Sequence, residues 1–203
     1  QVLCEIGEPI PYIYFPQRGL ASMVTTMLDG STVEVGLASA EGMVGLPVIL
    51  AGGRTNRTRA SVQIAGSAVR IKAELLKTEF NRAESLQNLL LRYTQAYLVH
   101  LEQTAACNRL HKIEKRLARW LLTVSDRIQA DEFQLTQEYI AQMLGVRRAG
   151  VTVAADTLQQ AGMLRYSRGR ITILNRTELE ATACECYAVV RDEFARLLGT
   201  END

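Results

Sequence analysis

The stretch Thr136-Gln137-Glu138-Tyr139-Ile140-Ala141-Gln142-Met143-Leu144-Gly145-Val146-Arg147-Arg148-Ala149-Gly150-Val151-Thr152-Val153-Ala154-Ala155-Asp156 reads as a helix, a tight turn and a second helix. Two helices that cross closely need a small residue at the crossing, and Ala141 supplies it. The turn needs a residue that tolerates positive φ, and Gly145 supplies that. Ile140, Leu144, Val151 and Ala154 recur at the spacing that turns one face of each helix inward. Arg147, Arg148, Ala149, Gly150 and Thr152 are left at the start of the second helix, where a helix-turn-helix meets base edges and phosphates. An αα-corner that binds nothing carries some of these features. The agreement of the small, turn and apolar positions at once favours the DNA-binding form.

Charge supports this reading. The chain of 203 residues carries 23 basic and 22 acidic residues, close to balance. The balance is uneven along the chain. Residues 109–170 hold eleven basic against six acidic groups, and residues 171–203 hold three against seven. The positive excess surrounds the helix-turn-helix, where phosphate contacts would fall. No apolar run approaches the length of a membrane span. Cys4, Cys107, Cys184 and Cys186 are too sparse for a disulfide framework, and a reducing cytoplasm is expected.

On the N-terminal side, residues 1 to about 72 read as short strands and turns. Ser22–Leu28 and Ser31–Leu37 flank Asp29-Gly30, a hairpin dipeptide. Ala60–Ala65 and Ala68–Lys72 flank a turn at Gly66-Ser67, and the apolar run 42–50 is punctuated by Gly and Pro. Strands at this spacing suggest a sandwich or barrel. Residues 73–110 hold no Pro or Gly, which predicts a short helix near Ala73–Phe80 and a long one from about Glu84. Steps of four and three along the long helix give a seam of Leu86, Leu90, Tyr93, Tyr97, His100, Thr104, Cys107 and His111. Its apolar part, Leu86, Leu90, Tyr93 and Tyr97, is the expected dimer interface. Leu89, Leu98 and Leu101 lie off it. From Lys112 an amphipathic helix runs through Trp120. After the helix-turn-helix, Leu164–Leu174 forms a hairpin with Arg168 and Arg170 at its tip, the wing of a winged helix. Thr177–Leu198 reads as one charged helix.

With these parts in place, the chain resembles the Crp-Fnr family of bacterial transcription regulators over nearly its whole length. The carrying residues are Arg116-Leu117-Ala118-Arg119-Trp120-Leu121-Leu122, Leu135-Thr136-Gln137-Glu138, Ile140 through Arg148, and Leu158-Gln159-Gln160-Ala161-Gly162-Met163-Leu164. Thr172-Ile173-Leu174-Asn175-Arg176 and Ala183-Cys184-Glu185-Cys186-Tyr187 look like one sub-branch of it. The resemblance implies an α+β fold: an N-terminal β-roll (double-stranded β-helix), a long dimerisation helix and a C-terminal winged helix-turn-helix. The corresponding segments are 1–80, 81–111 and 112–203. The chain opens on Gln rather than Met, so the roll is read as open to N-terminal truncation. Implied partners are double-stranded DNA, a second copy of the chain, RNA polymerase and a small-molecule effector of unknown identity, with no membrane and no cofactor.

The resemblance also sets the candidate site. DNA contacts are expected from Thr136, Gln137, Arg147, Arg148, Ala149, Gly150, Thr152, Val153, Arg168 and Arg170. The family's archetype reads bases with an Arg-Glu pair and a second Arg one turn later. Those positions here are Arg148, Ala149 and Val153, so only the first is retained, and the archetype's operator does not carry over. Cyclic-nucleotide binders of the family have Gly-Glu-Leu for the ribose and Arg-Ser-Ala for the phosphate. Here Gly45-Leu46-Pro47 and Thr58-Arg59-Ala60 stand near those places. Leu46 cannot accept a ribose hydroxyl, so cyclic AMP is not expected to bind. Gly45, Leu46, Arg57 and Arg59 remain the candidate effector pocket.

Other chemistry is weaker. Cys107 and His111, four apart on a helix, form a two-ligand pair that a dimer could complete around a metal together with His100, but such pairs are common by chance. Cys184 and Cys186, two apart on an expected helix, would point to different faces. Only Cys4 lies near the N-terminus, where the family's oxygen sensor holds its iron–sulfur cysteines. No metal site is therefore expected. No Ser-His-Asp set, phosphate loop or carboxylate pair stands out, and an enzyme is not expected. The competing class is a ligand- or redox-sensing module with little DNA binding of its own.

Overall fold

The computed structural model describes residues 1–50 and 55–199. The N-terminal part holds six strands: β1 (Val2–Cys4), β2 (Tyr12–Pro16), β3 (Leu20–Thr26), β4 (Thr32–Ala38), β5 (Arg59–Ile64) and β6 (Ala68–Lys72). A four-stranded antiparallel sheet runs β1-β5-β3-β4, and β2 pairs with β6 in a second sheet. The turn at Asp29-Gly30 joins β3 to β4 as expected, with Gly30 at φ 83°. The turn at Gly66-Ser67 instead carries the chain from one sheet to the other, since β5 and β6 pair with different partners. The apolar run 42–50 is not a strand. Val44 makes one bridge to Tyr14, and Leu46–Val48 is a 3-10 turn.

The alternation of β3 explains how the molecule is layered. Side chains of a strand point to opposite faces in turn. Ala21 and Met23 face the roll's own core with Ile13, Ala38, Val44 and Ala60. Leu20 and Val24 face the other way, into a core shared with the C-terminal helices. Both faces of β3 are therefore buried. A bulge between Met23 and Val24 shifts the register, so that Met23 pairs with Gly36 and Val24 with Glu34.

The helices follow the sequence with two differences. They are α1 (Ala73–Phe80), α2 (Ser85–Leu110), α3 (Ile113–Ile128), α4 (Gln137–Leu144) and α5 (Arg148–Gln160). A short strand β7 (Glu132–Gln134) precedes α4, and the wing is β8 (Leu164–Ser167) and β9 (Arg170–Ile173). These three strands form one sheet in the order β7-β9-β8. The expected single C-terminal helix is two, α6 (Arg176–Thr182) and α7 (Cys186–Leu198). The chain leaves helical geometry at Ala183, with ψ 162°. Asn175 caps α6, its side chain accepting from the Glu178 N–H at 3.1 Å.

The second difference is the orientation of α2. Leu90 and Tyr93 are buried, and Leu86 and Tyr97 pack on the same core, so the expected dimer seam faces the chain's own roll. Tyr93 donates to the Met43 carbonyl at 3.3 Å and stacks on Tyr97, whose ring lies where a side chain at Gly36 would stand. Aromatic rings with polar tips suit a surface that offers a loop carbonyl and, on β4, a bare glycine. Leu91 and Leu98, seven apart, lie on the exposed side, with Leu101 half-buried.

The contact that joins the two halves is polar and enclosed. Glu34 on β4 is 7 % exposed. It accepts from Ser22 Oγ at 2.7 Å and from Trp120 Nε1 at 2.8 Å. Burial pushes its carboxyl up to about 7, while those two bonds and the charges of Arg119 and Arg127 pull the other way. Tyr97 from α2 and Tyr139 from α4 also face it. A carboxyl whose folded pKa stands above its ordinary 4.5 binds its proton more tightly in the folded state. Its contribution is full below about pH 4.5 and is lost as pH rises through about 7. Glu34→Gln keeps an acceptor without the titration. Its melting temperature is expected to vary less than wild type's between about pH 5 and 8. An unchanged slope would remove Glu34 from the pH dependence.

Candidate nucleic-acid interface

The helix-turn-helix is built by caps and one glycine. Thr136 is the N-cap of α4, its hydroxyl accepting from the Tyr139 N–H at 3.2 Å. α4 ends on Gly145, in the left-handed region at φ 60°, ψ 43°. The N–H groups of Val146 and Gly145 turn back to the carbonyls of Ala141 and Gln142 at 3.0 and 3.2 Å. This closure satisfies two carbonyls at the helix end and sets the angle into α5. Ile140, Ala141 and Leu144 pack on Val151, Ala154 and Leu158 in one core with Leu117, Trp120 and Leu121 of α3.

α5 begins with its charge outward. Arg147 is its N-cap, and no side chain caps the N–H groups of its first turn. Arg147, Arg148 and Ala149 are exposed, and Val153 is 62 % exposed one turn on. An uncapped helix N-terminus flanked by two arginines is a favourable place for a phosphate or an electron-rich base edge.

The other expected contacts sort differently. Gly150 is half-buried, and a Cβ there would stand 3.1 Å from Ile113 Cδ1, so its place is packing against α3. Thr152 is half-buried and donates to Gln137 Oε1 at 2.8 Å, which ties α5 to the start of α4. In the wing, Arg168 and Gly169 both take positive φ, 50° and 79°, as a two-residue hairpin turn requires. Arg168 sits exposed at the tip. Arg170 pairs across the sheet with Glu132 of β7 at 3.1 Å. Both partners are more than half exposed, so this pair is weak and leaves the guanidinium exchangeable. Nothing in the sequence points to Glu132, because β7 is too short to show a period. Asp156, two turns along α5 from Ala149, is an exposed acid that the sequence pattern does not single out.

The roll reaches this surface. The β3–β4 hairpin docks on α4, where Gln142 donates to Thr32 and Val33 Cγ2 lies 3.0 Å from a Cβ position at Gly145. A cleft of about 1020 Å³ lies between them, lined by Met27, Gly30, Val33, Gln142 and Arg147 among others. The candidate effector residues are not drawn into it. Leu46 packs on the roll's core, Gly45 opens the 3-10 turn at φ 105°, and Arg57 is exposed. Arg59 pairs with Glu5 at 2.8 Å.

A helix-turn-helix followed by a two-stranded wing, with two arginines at the start of the second helix, defines a winged-helix architecture. Residues 115–182 match the model of the Crp-like helix-turn-helix domain. FixK2 from Bradyrhizobium japonicum shares the fold, with TM-score 0.77 and 21 % identity over 91 % of this chain and 93 % of that one. So does a Crp-family transcriptional regulator from Thermus thermophilus, with TM-score 0.74 and 18 % identity over 90 % and 93 %. The c-di-GMP responsive global regulator CLP of Xanthomonas campestris gives TM-score 0.69 and 16 % identity over 85 % and 89 %. No curated protein matches the chain in sequence. Residues 115–182 thus form a Crp-like helix-turn-helix domain, and the chain as a whole shares the fold of these solved structures.

Gly145→Ala places a side chain in a left-handed position against Val33. It is expected to lower stability by about 1 kcal/mol or more and to loosen the α4–α5 turn. Denaturant unfolding checks this, and an unchanged midpoint would mean that the turn does not depend on Gly145.

Proposed function

We propose that this chain is a dimeric, sequence-specific DNA-binding transcription regulator. Residues 1–80 act as sensor, 81–111 as the dimer helix and 112–203 as the DNA-binding part. The observation that carries this reading is the uncapped N-terminus of α5, exposed with Arg147 and Arg148 and held by a rigid turn. Arg148 is the base-reading residue, suited to the O6 and N7 of guanine. Arg147 and Arg168 position the duplex through phosphates, and Arg170 joins them by exchanging Glu132 for DNA. Thr136 and Gln137 support the surface by capping and bracing it. Ala149 and Val153 offer apolar contact, which suits a thymine methyl group.

The dimer forms through the outward face of α2. Leu91, Thr94, Leu98, Leu101 and Ala105 recur at alternating steps of three and four, the spacing of a two-stranded helical seam. Leu91 is 49 % and Leu98 52 % exposed in the single chain, an apolar stripe without an internal partner. The reading places the regulator in the cytoplasm, in keeping with buried free cysteines; no described helix is long and apolar enough to cross a membrane. The sensor does not take cyclic AMP, because Leu46 belongs to the core and Arg59 is held by Glu5.

Arg148→Ala is expected to cost about 1–3 kcal/mol at the preferred site and to relax preference at one base pair per half-site. Fluorescence anisotropy on matched and mismatched duplexes checks it. An equal loss on every sequence would make Arg148 a phosphate contact. Leu91→Glu with Leu98→Glu is expected to give monomers by light scattering, whereas a dimer mass retained by this pair would move the interface off this face.

A further inference from the structure

Four side chains outside the DNA-binding surface converge where the chain bends twice. Cys107 lies on the last turn of α2, and His111 is the residue that ends it, in extended geometry at φ −105°, ψ 146°. Cys184 lies in the link between α6 and α7, and Cys186 is the first residue of α7. The break between α6 and α7 places the two cysteines on the same side, which an unbroken helix would not do. Their sulfurs, that of Cys107 and one ring nitrogen of His111 all lie within 4.8 Å of one another. Cys107 Sγ stands 3.5 Å from Cys184 Sγ, and Cys186 Sγ stands 3.7 Å from His111 Nδ1. It is the one such group among the described residues.

We propose that Cys107, His111, Cys184 and Cys186 form a metal site that takes one zinc-like divalent ion in a closed shell of three thiolates and one imidazole. The Cys107–Cys184 and Cys186–His111 distances match the edges of a single tetrahedral ion, and the remaining ligand atoms lie within about 1 Å of that spacing. With Zn–S near 2.3 Å and Zn–N near 2.0–2.1 Å, the edges of such a tetrahedron are about 3.5–3.8 Å. An iron–sulfur cluster would hold its ligands further apart, because each binds a different iron. Three thiolates and one imidazole are also the donor set that selects zinc among common divalent ions.

The surroundings are built for the charge that such a site carries. The three cysteines are buried at 0, 4 and 2 % exposure and form a cluster apart from both apolar cores. Arg116 and Arg119 of α3 lie beside them and are themselves 8 and 5 % exposed. The Nε of each has no hydrogen-bond partner. A buried guanidinium needs a counter-charge. Binding of the ion releases three thiol protons to solvent and leaves a shell of net charge −1, which the two arginines face. Cys186 also stands at the N-terminal end of α7, where the helix dipole favours a thiolate.

The histidine is oriented for the task. Its Nδ1 faces the sulfurs while Nε2 lies 3.4 Å from Glu185 Oε1. A carboxylate on the outer nitrogen fixes the tautomer and ring plane of a metal-binding imidazole. The ion would staple the α2–α3 bend to the α6–α7 bend. That joins the dimer helix to the far end of the winged helix, so loss or oxidation of the site would loosen the link between sensor and DNA-reading parts. His100, on the same side of α2, stays apart. It is enclosed next to Arg119, and burial pushes its ring down to about 3.

The test uses the full chain, purified under thiol-reducing conditions without chelator. One metal ion per chain is expected by elemental mass spectrometry, and titration of the stripped protein with Co²⁺ should give intense visible bands and thiolate-to-cobalt charge transfer. Cys107→Ser and Cys184→Ser, checked for native helix content by circular dichroism, should each lose that spectrum. Glu185→Gln leaves all four ligands in place and should weaken cobalt binding by about tenfold. A folded wild type that gives no charge-transfer band would overturn the proposal. So would a spectrum that survives both Cys→Ser changes together, or metal-free protein that emerges with a Cys107–Cys184 disulfide.

Discussion

The enclosed contact of Glu34 with Ser22 and Trp120 is the constraint on which the rest of the molecule hangs. It sits where the outer face of β3 and β4 meets α3, so it fixes a sheet against a helix across the layer the two halves share. A carboxyl buried there is tolerated because both of its oxygens have donors and Arg119 and Arg127 lie near. Arg127 in turn reaches Glu41 of the roll. The two halves are therefore joined by directional polar bonds inside an apolar wall, an arrangement that has few alternative registers.

That junction decides where the start of α5 points. α3 packs on α5 and α6, and its Arg116 donates to the Leu144 carbonyl at the end of α4. A shift of α3 against the sheet would thus carry the helix-turn-helix with it. The β3–β4 hairpin touches α4 directly, through Thr32 and Val33, which gives the roll a second route to the same surface. Interfaces of this kind move between discrete packings rather than by gradual deformation. In the proposed regulator, this pair of contacts, together with the bend at His111, is the route by which a change in the roll would reach α5.

Much of this was legible in the sequence, and the reason is locality. The α4–α5 turn rests on Ala141, Gly145 and a short-range apolar period, and the wing rests on a hairpin whose turn needs Gly169. The absence of Pro and Gly from 73–110 marked the helical segment correctly. What failed was what depends on partners distant in sequence. The heptad seam of Leu86, Leu90, Tyr93 and Tyr97 showed that one face of α2 is buried but not against what, and the roll took it. Gly150 read as exposed because nothing in its vicinity names Ile113. Cys107 with His111, and Cys184 with Cys186, are weak pairs on their own. Only the fold brings them together, and the break before α7 carries neither Pro nor Gly to announce it.

If α5 reads a base sequence from a symmetric dimer, the protein must choose among DNA sequences and not merely hold them. Selection of bound sites from a random duplex pool, followed by sequencing, measures that choice. An inverted repeat is predicted, with half-sites about 10–10.5 base pairs apart, centre to centre, and a guanine at the same place in each half-site. Recovery of sites without symmetry or base preference would contradict it, because a surface that holds only phosphates enriches no sequence.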